Sequence, residues 1–154
     1  MLGGYISDLD TGDVFEPVEY TLTAFMCSEY AHGTEEQSEF FHSAHNPAGR
    51  QLRPPTMIHA DKMLLLEKNC LKEQRISGMK GPDARVHYEY HAKQHSAAYV
   101  GETLVVTGRI VEKYVKRNRP YLWYYMEVHT KDGRLVTTYN DRTLLRYRPE
   151  GVAA

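Results

Sequence analysis

The strongest constraint on this chain is the order of its patterns, one long apolar helix followed by an almost unbroken series of strand-like runs. Thr56 through about Leu71 carries Met57, Ala60, Met63, Leu64, Cys70 and Leu71, which cover more than a narrow stripe and predict a well-buried helix. Pro55 suits the position before a helix or its first turn. After the breakers of Ser77-Gly78-Met79-Lys80-Gly81-Pro82 the period changes to two. Residues 84–92 alternate through Val86, Tyr88 and Tyr90, and residues 102–116 are rich in Val, Thr and Ile. A turn at Arg117-Asn118-Arg119 leads into Tyr121 to Thr130, Asp132-Gly133 signals a hairpin, and Leu135 to Tyr147 completes the series. Upstream, residues 12–18 read as a short strand. Thr21 or Thr23 can then cap a helix to about His32, with Gly33 as its stop. Residues 34–55 read as irregular and polar.

One buried helix against one antiparallel sheet is an α+β architecture. With 154 residues, no repeat and no long linker, the chain fits a single domain over residues 1–154. Its 19 basic and 20 acidic residues leave a net charge of −1, so no global field favours nucleic acid or an anionic membrane as partner. No stretch approaches the ~20 apolar residues of a membrane span. The start, Met1-Leu2-Gly3-Gly4-Tyr5, lacks the basic and apolar regions of a secretion signal, and Cys27 and Cys70 form no CxxC. A soluble, cytoplasmic protein is expected. The eight histidines include no HxH and no helical HxxxH pair. His87, His91 and His95 are four residues apart, but in a strand-like stretch that does not gather ligands, so neither a metal nor another cofactor is expected.

Several short motifs follow one another in a recognisable order. Tyr99-Val100-Gly101-Glu102-Thr103 opening a long strand to Lys113, then Arg119-Pro120-Tyr121, Asp132-Gly133-Arg134-Leu135-Val136 and Arg142-Thr143-Leu144-Leu145, is similar to the MaoC-like hydratase/dehydratase superfamily. Tyr30-Ala31-His32-Gly33 resembles the end of that superfamily's first helix. Arg53-Pro54-Pro55-Thr56-Met57 resembles the entry to its central helix in the branch related to the fatty-acid-synthase-type dehydratases. The resemblance spans roughly residues 10–147 and implies the hotdog fold, a curled antiparallel sheet around a central helix. It also implies addition of water to, or its removal from, an enoyl thioester carried on CoA or acyl carrier protein, by paired hotdog domains. The pair is a homodimer or a heterodimer with a catalytic MaoC-like chain.

Active members of the superfamily use an Asp and a His in D-x-N-P-x-H after the first helix. Hydration needs a base for water and an acid for the α-carbon within a few ångströms, together with donors for the thioester oxygen. Here Glu35 falls at the Asp position and Phe40 or Phe41 at the His position, and phenylalanine transfers no proton. His45-Asn46-Pro47 lacks the flanking Asp and His of the motif. Glu35 and His42 are therefore the candidate catalytic residues of the loop, set against a solvated reading of both, and the departure implies that a partner chain supplies the Asp/His pair.

Thr56, Met57, His59 and Met63 are the candidate substrate contacts, with the backbone at Thr56 and Met57 facing a thioester carbonyl and His59 read equally as a packed core histidine. Asp61 and Glu67 define a rival thioesterase reading, although outward-facing charges explain both. Lys116, Arg117 and Arg119 could meet CoA phosphates or could be a solvated hairpin tip. A non-enzymatic acyl-binding module is the third class.

Overall fold

The computed structural model describes residues 6–70 and 86–145. Along the chain come strand β1 (Val18–Thr21), helices α1 (Ala24–Gly33) and α2 (Glu39–His42), and a 3-10 turn at Pro55–Met57 running into α3 (Ile58–Asn69). Strands β2 (Val86–Gln94), β3 (Thr103–Lys116), β4 (Arg119–Thr130) and β5 (Leu135–Leu144) follow. The breakers at 77–82 lie outside the described residues, as do residues 84 and 85 of the first long strand and residues 146 and 147 of the last. All five strands form one antiparallel sheet in the order β1-β3-β4-β5-β2.

Helix α3 touches both ends of that order. Tyr20 on β1 bonds Asp61, and Leu65 packs against Gly108 on β3. Lys62 reaches Asp141 on β5, and the His59 ring meets Tyr90 on β2. One helix can contact the first and last strands of a five-stranded sheet only if the sheet curls around it. This is the hotdog arrangement.

The local signals explain most boundaries. Thr23, not Thr21, caps α1, its hydroxyl accepting from the Met26 N–H at 3.2 Å. In the β3–β4 hairpin Arg117 and Asn118 have φ of 51° and 58°, the paired left-handed conformation of a two-residue turn that matches strand twist. Lys116, Arg117 and Arg119 stand exposed at that tip, with the Lys116 ammonium 5.6 Å from the Tyr88 ring centre.

Three expectations are corrected. The strand expected over 12–18 is broken: Gly12 to Phe15 bond to β3, but the Glu16 N–H goes to the side chain of buried Asn69 (2.8 Å), and ladder pairing resumes only at Val18. Within residues 34–55, Glu39–His42 form a single helical turn, α2. The third concerns α3, which follows a 3-10 turn where helix was expected from Thr56 and is buried on only some of the predicted apolar positions, Met57 and Cys70 among them. Met63 and Leu64 are 43% and 37% exposed, while Ile58, Asp61, Leu65, Leu66 and Asn69 face the core. Two polar residues occupy that face because each finds partners there, which offsets desolvation. No helix among the described residues is long and apolar enough to cross a membrane.

Candidate functional site

The loop after α1 gathers part of the expected site. His32, Glu35, Glu36, Gln37 and His42 line a cleft of about 560 Å³, so the two candidate loop residues do share one cavity. Glu35 sits at φ 58°, the left-handed region, which turns the chain sharply out of the helix. The His42 Nε2 lies 2.7 Å from the Glu36 carbonyl and therefore donates to it. Both Glu35 and His42 are exposed, and Phe40 and Phe41 are half-buried on the same turn as His42.

At the entry to α3 the Tyr30 hydroxyl donates to the Thr56 carbonyl at 2.8 Å, tying α1 to the helix start. The Met57 N–H is engaged by the Pro54 carbonyl at 3.0 Å, so this backbone donor, expected to meet a thioester oxygen, is already committed. Met57 itself is buried, Thr56 is exposed, and Met63 is exposed one turn beyond His59.

Asp61 corrects the expectation of an outward-facing charge. It is fully buried, pairs with buried Arg53, and accepts from the Tyr20 hydroxyl at 2.6 Å. Burial pushes its carboxyl upward, and the Arg53 guanidinium and the Tyr20 hydroxyl pull it back. A carboxylate sealed and paired in this way has no open face for a water or a thioester, so it packs the helix rather than serving as base or nucleophile. Glu67 is exposed, as expected.

A second polar cluster, which no motif announced, lies on the other side of α3. Asp141 on β5 is fully buried and accepts from Tyr139 (2.7 Å), Thr143 (2.7 Å) and Lys62 (3.0 Å), and His87 Nε2 lies 2.9 Å from its Oδ2. His59 Nδ1 and His87 Nε2 each lie 3.4 Å from the Tyr139 hydroxyl, and the two imidazole rings are 5.8 Å apart. Tyr90 completes the wall, 4.9 Å from His59 and 5.2 Å from His87. Burial works to raise the Asp141 carboxyl, but Lys62, Thr143 and Tyr139 together hold it below the usual range. Burial lowers both histidines, assisted by the Lys62 cation, while Asp141 pulls the other way. Burial and the Asp141 charge push the Tyr139 phenol far upward.

These shifts set a stability profile. A group whose proton affinity falls on folding contributes stability above its unfolded value and loses it as pH drops. Stability should therefore be level above the ordinary histidine value of 6.5, decline below it, and decline again below the Asp141 reference of 3.8. Thermal unfolding between about pH 3 and pH 8 tests this, and the double variant His59→Gln/His87→Gln should lose the upper step and keep the lower one. A flat profile from pH 7 to pH 5 in the parent protein would contradict it.

No family model matches the sequence, and no curated protein matches it. Solved structures do. A MaoC-like dehydratase from Rhodospirillum rubrum superposes with a TM-score of 0.68 at 16% identity, covering 94% of this chain and 98% of that one. An (R)-hydratase from A. caviae involved in PHA biosynthesis gives 0.66 at 13% identity, covering 90% and 98%. The HadBC (3R-hydroxyacyl-ACP dehydratase) complex from Mycobacterium tuberculosis gives 0.69 at 14% identity, covering 87% and 96%. Over nearly its whole length, this chain has the hotdog fold of solved MaoC-like dehydratases and (R)-hydratases.

Proposed function

We propose that this chain is a cytoplasmic subunit of an (R)-specific enoyl-thioester hydratase or 3-hydroxyacyl dehydratase, acting on an acyl chain carried on CoA or acyl carrier protein. The observation that carries the reading is end-to-end correspondence with single hotdog domains described as dehydratases and hydratases, without a large insertion or loss. The motifs at Arg53–Met57 and Tyr99–Lys113 support it independently of the coordinates. The rival thioesterase reading is weakened by the sealed state of Asp61.

A second hotdog domain is part of the proposal. Among the described residues β2 has β5 on one side and no strand on the other, and Val86, Tyr88 and Tyr90 on it are 38%, 50% and 49% exposed. An apolar, unpaired edge of this kind favours strand-to-strand pairing with a second copy or with a catalytic MaoC-like chain. The HadBC complex, one of the structural neighbours, is consistent with the second option.

The test is hydration of crotonyl-CoA, followed by loss of enoyl absorbance, for the chain alone and co-expressed with a hotdog chain that has an intact D-x-N-P-x-H. Sedimentation should show two hotdog domains per particle. Because Phe40 and Phe41 replace the loop histidine, Glu35→Gln and His42→Ala should each change turnover by less than roughly threefold, against about 10²–10⁴ for loss of a true acid–base group. A 10²-fold or greater loss in Glu35→Gln would relocate the chemistry to the loop, and a monomer that binds acyl-CoA would remove the paired-domain reading.

A further inference from the structure

The loop cleft leaves unexplained why a chain without the loop histidine keeps two partly exposed imidazoles around a buried carboxylate. Asp141 does not need them for burial, since Lys62, Tyr139 and Thr143 already give it three donors. His87 Nε2 adds an ion-pair contact at 2.9 Å, and its side chain remains 35% exposed.

We propose that His87, oriented by Asp141 and assisted by His59, is an acid–base centre for the α,β double bond of an enoyl thioester, or for its 3-hydroxy counterpart, lying between α3 and β2. The substrate class rests on the function proposed above. The residues come from the geometry alone.

The hydrogen bonds assign the tautomers. Tyr139 donates its proton to Asp141 Oδ2, so its hydroxyl oxygen can only accept from His87 Nε2–H at 3.4 Å, and that nitrogen lies 2.9 Å from the same carboxylate oxygen. That leaves the lone pair of His87 on Nδ1, which has no hydrogen-bond partner among the described residues. A carboxylate that holds one imidazole nitrogen so that the other acts as base is a recurring device for activating water. The Tyr139 hydroxyl, its proton engaged, can only accept from His59 Nδ1–H, which leaves the His59 lone pair on Nε2. Two lone pairs on rings 5.8 Å apart can accept both protons of one water and fix its oxygen between them. Lys62 on α3, Tyr90 on β2, and Tyr139, Asp141 and Thr143 on β5, with Tyr124 on β4 behind Thr143, are the polar groups around the pair. Burial and the Lys62 cation favour the neutral form of both rings, the form a base requires, against the opposing pull of Asp141.

In hydration the water oxygen bonds to the β-carbon as His87 Nδ1 takes one water proton. The π pair moves onto the α-carbon, where the thioester carbonyl stabilises it. The His87 imidazolium then returns that proton to the α-carbon and is neutral again. Water is consumed, one C–O and one C–H bond form, and dehydration is the reverse.

The test uses the full chain without a second catalytic hotdog chain, so that turnover of crotonyl-CoA reports on this site alone. His87→Gln should lower kcat about 10²–10⁴-fold while KM changes by less than roughly threefold, and His59→Gln should cost about tenfold. The acidic limb of the parent pH profile should lie below 6.5, and Lys62→Met should move it upward because a cation beside the base is gone. This second measurement covers the case in which a histidine variant fails to fold. Parent-like kcat in folded His87→Gln, or a limb that Lys62→Met does not move, would overturn the assignment and leave the proposed function standing. Absence of hydration by the chain on its own would overturn the assignment, and absence in every assembly, including one with a catalytic partner, would overturn both.

Discussion

Asp61→Asn should destabilise the protein by about 3–5 kcal/mol, the largest loss expected from any single neutralising change. Arg53 and Asp61 are 4% and 0% exposed, and the pair lies between the start of α3 and β1. Arginine stays charged in folded proteins, so removing the carboxylate leaves a cation in a low-dielectric interior with no counter-charge. The environment has little reserve, because Nε and Nη1 of Arg53 have no hydrogen-bond partner among the described residues. The pair itself need not be a large net stabiliser, since attraction between buried ions is offset by desolvation. The combined variant Arg53→Met/Asp61→Leu/Tyr20→Phe, which also removes the hydroxyl that would lose its acceptor, should fall within roughly 2 kcal/mol of the parent or exceed it. Urea denaturation with unchanged m-values checks both statements. A cost below about 1 kcal/mol for Asp61→Asn would mean that water reaches Arg53 and that the burial is not as described.

Leu65→Ala is expected to cost about 2–5 kcal/mol, because Leu65 is fully buried where α3 crosses the sheet. Gly108 on β3 is the other half of this contact. A Cβ placed there would lie 2.9 Å from Leu65 Cδ2, 3.0 Å from Phe15 Cδ2 and 3.1 Å from the Tyr125 carbonyl. The strand has no room for a methyl group, so Gly108→Ala should itself cost about 1–3 kcal/mol through overpacking. The two losses should not add. With Leu65 shortened the closest obstacle is gone, and the new methyl fills part of the cavity, giving a coupling of about 1–2 kcal/mol in a double-mutant cycle. Strict additivity would show that Gly108 is required by the Tyr125 carbonyl and Phe15 rather than by the helix.

The fold and the candidate site residues were legible to different degrees. Glu35 and His42 were singled out by their place after Gly33, and the chain does bring them to one cleft. Thr56 and Met57 were placed correctly at the helix entry, but the 3-10 turn that engages the Met57 N–H could not be read from Arg53-Pro54-Pro55. Asp61 was assigned to the surface because an isolated acidic residue on a helix is ordinarily solvated, and its partners Arg53 and Tyr20 lie 8 and 41 residues away. His87 stood out only by its spacing from His91 and His95, which pointed to no site. It joins Asp141 only because β2 pairs with β5, with His87 opposite Thr143 and Tyr90 opposite Asp141.

By itself the sequence determined what depends on neighbours along the chain. Period-two alternation specified the long strands, Thr21 or Thr23 the neighbourhood of the α1 start, and Arg117-Asn118-Arg119 and Asp132-Gly133 the hairpin turns, since each is a local backbone or capping preference. Apolar content marked α3 as a core helix but not the face it buries. That was decided when the sheet curled around the helix: Asp61 and Asn69 could go inside because Arg53, Tyr20 and the Glu16 backbone stood opposite them, and Met63 and Leu64 were left outside. The same closure set β2 beside β5 and brought His59, His87 and Asp141 together, because a polar group can be buried only where groups distant in sequence complete its hydrogen bonds.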